Sequence, residues 1–157
     1  SVADVAQSVS DGPFGSNLKS ADYTSDGVRV VRLENVGHLR FIEEKRTYIS
    51  HAKYQTLKKH TLADRDVVFS SFVDEQIRVC VFHSEHGPAI NKADCFVIRC
   101  NQDRCLPEFL AYRLACPSVF NALEGNVHGA TRPRINLGQL RSITLLLPPI
   151  KEQIRIV

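Results

Sequence analysis

Apolar residues fall in short runs along this chain, and their spacing shifts between a period of two and a helical period. Residues 28–33 (Val-Arg-Val-Val-Arg-Leu) are β-branched, bounded by Gly27 and Gly37, and predict a strand. Residues 66–70 and 95–99 read the same way, as do residues 78–82, where Val79 and Val81 alternate with Cys80 and Phe82. Tyr48 and Ile49 follow a polar patch, and Ser50 then stands as the N-cap of a helix with Tyr54 and Leu57 on one face. Lys58, Lys59 and His60 close that helix, where cations suit the negative end of its dipole. Pro107 opens another helix through Phe109, Leu110, Arg113 and Leu114; Pro117 ends it, and residues 118–123 resume helically before Gly125. Residues 1–10 predict a strand or a turn of helix, and residues 143–147 an apolar strand. Pro149 then begins a last helix, with Ile150, Ile154 and Val157 at helical spacing.

Interleaved strands and helices predict a mixed α/β fold with a single, largely antiparallel sheet and flanking helices. The last helix stops in its second turn, too short to persist alone in water. A longer helix is therefore expected, and with it a larger parent protein. The lack of any Met, even at the start, points the same way.

Between the elements lie loops with chemistry in them. Residues 11–19 (Asp-Gly-Pro-Phe-Gly-Ser-Asn-Leu-Lys) combine two glycines and a proline with the outward donors Ser16, Asn17 and Lys19. Such a turn can form an anion nest, and a plain structural turn fits equally well. No Gly-Lys-Ser/Thr follows Gly15, which disfavours a nucleotide-binding loop. Residues 71–76 form a polar tip in which Gln76 suits adenine and Asp74 and Glu75 can accept from cytosine; a solvated hairpin end is the alternative. Residues 88–94 form another loop, carrying Lys92. In Gly-Ala-Thr-Arg-Pro-Arg-Ile-Asn (129–136), Arg132 and Arg134 flank a stiffening proline beside Thr131. Two guanidinium forks on a restrained loop suit phosphates or guanine edges.

Composition narrows the field. The 157 residues fit one domain, large enough to bury roughly 70% of its unfolded surface. A formal charge of +3 and pI near 8.7 are compatible with a polyanionic partner without demanding one. No apolar run approaches the ~18 residues that span a bilayer, and no signal peptide opens the chain. The five cysteines contain no C-x-x-C and read as buried free thiols in a reducing cytosol, so the expected location is cytoplasmic.

Enzyme motifs are weak. Cys80-x-x-His83-x-x-His86 has the letters of a metal site but no near fourth ligand, so no metal is expected. Glu43-Glu44-Lys45, with Asp22 or Asp26 upstream, imitates half of a metal-dependent nuclease site, yet sits in a charge cluster between elements. His128 lacks a neighbouring carboxylate.

Taken jointly, several stretches resemble the target recognition domain of a type I restriction–modification specificity subunit. They are residues 11–19, Asp22-Tyr23 with residues 27–32, Asn91-Lys92-Ala93-Asp94-Cys95, Pro107-Glu108-Phe109-Leu110, residues 129–136, and Leu147-Pro148-Pro149-Ile150-Lys151-Glu152-Gln153. Many relatives would show glycine where Arg65 stands. The resemblance implies a non-enzymatic DNA-reading module over residues 1–147, followed by the start of a spacer helix over 148–157. It implies double-stranded DNA, methyltransferase subunits and a translocase–nuclease subunit as partners. S-adenosylmethionine, Mg²⁺ and ATP would belong to those subunits, leaving this chain without a cofactor. On this reading Ser16, Asn17, Lys19, Lys58, Lys59, Lys92 and Arg134 are expected at phosphates. Asp74, Glu75, Gln76, Thr131 and Arg132 are expected at bases, and Ile150, Ile154 and Val157 on a partner helix. The DNA-recognition domain of a single-chain restriction–methylation enzyme and a metal-dependent nuclease domain are the alternatives.

Overall fold

The computed structural model describes residues 1–124 and 133–157. Helix α1 (Val2–Val5) runs straight into strand β1 (Ala6–Ser10), so the opening segment holds both a helical turn and a strand. Next come β2 (Tyr23–Thr24), β3 (Val28–Val31), β4 (Tyr48–Ile49), α2 (His51–Leu57), β5 (Val67–Ser70), β6 (Val79–Val81), β7 (Ala89–Asn91) and β8 (Cys95–Cys100). Helices α3 (Pro107–Leu114), α4 (Pro117–Glu124), α5 (Leu137–Ser142) and α6 (Ile150–Ile156) follow. The mixed, largely antiparallel α/β fold is the expected one.

The strands divide between two sheets where one was expected. The first has the order β1-β8-β5-β6 and is antiparallel throughout. The second has the order β2-β4-β3-β7, and its β3–β7 pair is parallel. β5 shows why the chain needs both. All four of its residues are buried, so each face must find its own core. Val67 and Phe69 pack with α3 residues Phe109, Leu110 and Leu114. Val68 belongs to a second cluster with Cys80, Val97, Val31 and Ala89, which fills the space between the sheets. A third cluster joins Leu18, Val28, Val30, Ile49 and Ile90 to Leu57 of α2. The layers therefore run helices, first sheet, second sheet, α2.

Local signals explain most of the elements. The Ser50 Oγ accepts from Lys53 N at 3.1 Å, capping α2 as expected, and Pro107 occupies the first turn of α3. Pro149 is the N-cap of α6 and not its first residue; its carbonyl accepts from Glu152 N and Gln153 N. Two further expectations change. Ala89–Asn91, inside the anticipated loop 88–94, is strand β7. Residues 143–147 join no ladder: Ile143 is buried and Leu145 half-buried, while Leu146 and Leu147 are exposed. The cysteines Cys80, Cys95, Cys100 and Cys105 are buried and free, and Cys116 is half-buried. Burial pushes the Cys80 and Cys100 thiols up to about 12.

Arg65 has a φ of 63°, in the left-handed region. The Arg65 Nε and Nη2 donate to the two carboxylate oxygens of Glu108 at 2.8 and 2.5 Å, and Nη1 donates to Gln102 at 2.7 Å. The side chain thus ties this turn to the first turn of α3 while its backbone is strained. Arg65→Ala loses the pair and keeps the strain; Arg65→Gly loses the pair and relieves it. Urea unfolding should find the glycine variant more stable than the alanine variant by ~1 kcal/mol. An alanine variant as stable as the glycine variant would show the backbone to be unstrained.

Candidate nucleic-acid interface

One corner of the molecule is assembled by main-chain bonds between three segments far apart in sequence. As β5 ends, Ser71 N donates to Asp94 O, Ile135 N to Ser71 O and Val73 N to Pro133 O, each at 2.9 Å. Phe72 and Arg134 form an antiparallel bridge, with the Arg134 guanidinium 5.3 Å from the Phe72 ring centroid. The same guanidinium pairs with the Asp94 carboxylate. Val73 is buried and anchors the tip, leaving Asp74, Glu75 and Gln76 exposed beyond it. Downstream, Asn136 Oδ1 accepts from Gln139 N while Gln139 Oε1 accepts from Asn136 N, a capping box that fixes how the Arg134 segment enters α5.

The glycine loop lies against this corner. A Cβ on Gly12 would stand 2.4 Å from Asn91 O, so only glycine permits the close approach. Gly15, with φ +50°, opens a 3-10 turn (Gly15–Asn17) that leaves Ser16 and Asn17 exposed. Asp11 and Phe14 share a cleft with Arg134, Ile135 and Asn136. Lys92 closes the group: its Nζ donates to Tyr23 Oη at 3.0 Å. The predicted loop, tip and arginine segment therefore meet in part. Among the described residues, no contact ties Lys19, Lys58 or Lys59 to Arg134. Lys19 is exposed, with its backbone N bonded to the Asp22 carboxylate at 2.7 Å. Lys58 and Lys59 are exposed in a 3-10 turn that reaches the glycine loop only through His60, whose Nδ1 is 3.1 Å from Asp11 O. Thr131, Arg132 and His128 lie outside the described residues.

Two arginines escaped the sequence reading. Arg32, Leu33, Glu34, Arg78, Lys92 and Asp94 line a polar cleft of about 300 Å³ beside the Asp94–Arg134 pair. Arg32 directly follows β3 and Arg78 directly precedes β6, so in the sequence both read as strand residues.

Residues weighed for enzyme chemistry have other work. Glu43 Oε1 accepts from Arg29 Nη1 at 2.5 Å and lies 3.3 Å from Arg46. His86 stacks on Phe41, centroids 4.4 Å apart, with Nδ1 2.9 Å from Glu43 Oε2. Asp22 pairs with Lys53 at 3.3 Å. Among the described residues no group of three His, Cys, Asp or Glu side chains is placed to hold a metal ion. Nor is any described helix long and apolar enough to cross a membrane.

The arrangement is a mixed α/β scaffold presenting a charged, polar, loop-built face. The chain belongs to the type I restriction modification DNA specificity domain family, whose match covers residues 32–157. DNA target recognition is its function. No curated protein matches the sequence. Among solved structures it is similar to a chain in a study of complex assembly and conformational transition of the type I R-M system, with a TM-score of 0.66 and 18% identity. That alignment covers 99% of this chain and 35% of the other. It is also similar to the HsdS subunit from Thermoanaerobacter tengcongensis, with a TM-score of 0.60, 18% identity, and coverage of 99% and 34%. The chain thus spans about a third of the length of the solved chains it matches.

Proposed function

We propose that this module reads one half of a bipartite DNA target and, within a specificity subunit, directs methyltransferase and restriction subunits to it. The observation that carries the proposal is the corner itself. Three distant segments are bonded main chain to main chain, and the frame they form leaves Asp74, Glu75 and Gln76 exposed beyond it. Lys92 and Arg134, and with them Ser16, Asn17, Lys19, Lys58 and Lys59, take phosphates and set the register. Asp74, Glu75 and Gln76, with Thr131 and Arg132, read base edges. Catalysis and the S-adenosylmethionine, Mg²⁺ and ATP it consumes belong to partner subunits in the cytoplasm. The exposed Ile154 and Val157, with the half-buried Ile150, continue a spacer helix and meet a partner helix.

Half of a bipartite contact binds feebly, because the tethered second site is what raises the effective concentration. Fluorescence anisotropy of the chain with a labelled duplex should give weak binding, in the range of ~10⁻⁴–10⁻⁶ M at physiological salt, tightening as salt is lowered. Sequence preference should be slight. A salt-independent signal, or none at low salt, defeats the reading.

A further inference from the structure

The cleft lined by Arg32, Leu33, Glu34, Arg78, Lys92 and Asp94 holds more cations than its own acids can neutralise. Glu34 pairs with Arg32 at 3.3 Å, and Asp94 pairs with Arg134. Among the described residues, Arg78 and Lys92 pair with no carboxylate. Neutral groups hold them instead: Arg78 Nη1 donates to Leu33 O at 3.3 Å, and Lys92 Nζ donates to Tyr23 Oη. The Tyr23 ring also faces two cations, with Arg32 Cζ 5.4 Å and Lys92 Nζ 5.5 Å from its centroid. Both side chains are half-buried, so their hydration is already reduced before anything binds. An anion entering here gains two charge-assisted hydrogen bonds without first breaking an ion pair.

Resting on the DNA-reading function above, we propose that this cleft is a phosphodiester seat, in which Arg78 and Lys92 clasp a single DNA backbone phosphate while the Leu33 carbonyl and Tyr23 hold them in place. Its position beside the Phe72–Arg134 bridge suits that role, because a phosphate fixed there sets the register of whatever the adjoining tip reads. Asp94 borders the seat and shares Arg134 with the phosphate that cation takes, so removing the carboxylate leaves Arg134 wholly to the DNA.

The test removes each charge while keeping a polar side chain. Arg78→Gln and Lys92→Gln take away the cation and retain an amide able to hydrogen-bond within the cleft. In anisotropy titrations against a mixed-sequence duplex, each should weaken binding about tenfold at low salt. Each should also flatten the slope of log K against log salt by ~0.9. Arg78→Lys should restore the slope, which a purely structural arginine would not do. Asp94→Asn should act in the opposite direction, tightening binding to every duplex and steepening the slope. If wild-type chain binds DNA with the expected salt dependence and both glutamine variants match it, the seat is refuted and the cleft is left to a carboxylate-bearing protein ligand. If wild-type chain shows no salt-dependent binding, the DNA-reading function fails first, and this proposal with it.

Discussion

Replacing Gln153 with alanine should lower the free energy of unfolding by ~3 kcal/mol and release α6 from the body of the domain. Gln153 is fully buried although it lies on the last short helix. Its Oε1 accepts from Leu106 N at 2.9 Å, while Nε2 donates to Arg104 O at 3.1 Å and to Pro148 O at 2.9 Å. Truncation strands one buried donor and two acceptors, and it empties the space between α6 and the entry to α3. Gln153→Glu is the sharper variant, since a carboxylate accepts from Leu106 N but can donate to neither carbonyl. Urea denaturation reads the stability, and limited proteolysis reads the release, with cleavage after Lys151 or Arg155 accelerated in both variants. Wild-type resistance at those sites would show that other contacts hold the helix.

Glu43→Ala should destabilise the domain by ~2 kcal/mol, and Arg29→Met by clearly less. Arg29 is only 3% exposed; besides the Glu43 carboxylate it donates to Glu43 O at 2.9 Å and Lys45 O at 3.2 Å. Deleting the carboxylate leaves a buried guanidinium charge with carbonyl partners alone. Deleting the arginine leaves a glutamate that can turn to water, and methionine can take up much of the vacated volume. Burial pushes the Glu43 carboxyl up, but the Arg29 hydrogen bond and charge, with His86 and Arg46, outweigh it and hold the group below its ordinary 4.5. A carboxyl depressed in the folded state contributes stability that is complete above that ordinary value and drains away as pH falls through the folded one. Acid unfolding of the wild type should therefore be steeper below pH 4.5 than that of Glu43→Ala. Parallel acid profiles would mean that the pair adds nothing.

Much of this architecture can be read from residue pattern because its signals are local. β5, β6 and β8 are β-branched runs, α2 has a serine cap, and α3 opens on a proline. What escaped was non-local. β7 is three residues long, follows Pro88, and owes its existence to a parallel pairing with β3 about 60 residues earlier. The split into two sheets depends on which faces of β5 and β8 meet which core, a matter the period of a strand does not record. The apolar run 143–147 imitates a strand by composition, yet it joins no ladder and leaves Leu146 and Leu147 exposed. Gln153 gives no sign of burial in the sequence, and tertiary contact makes it a clamp. At the interface, loop composition pointed to Lys92, Arg134 and the tip. The cleft needed geometry, since Arg32 and Arg78 gain their meaning from facing Lys92 across a space that no spacing rule describes.

The bonds that seat the tip run from Ser71 N to Asp94 O, Ile135 N to Ser71 O and Val73 N to Pro133 O, so none involves the side chains of Asp74, Glu75 or Gln76. Those three letters can be rewritten while the frame that presents them stays closed. With base reading at these three positions, as proposed, new specificities are within reach of point substitution, with no need to refold the reader.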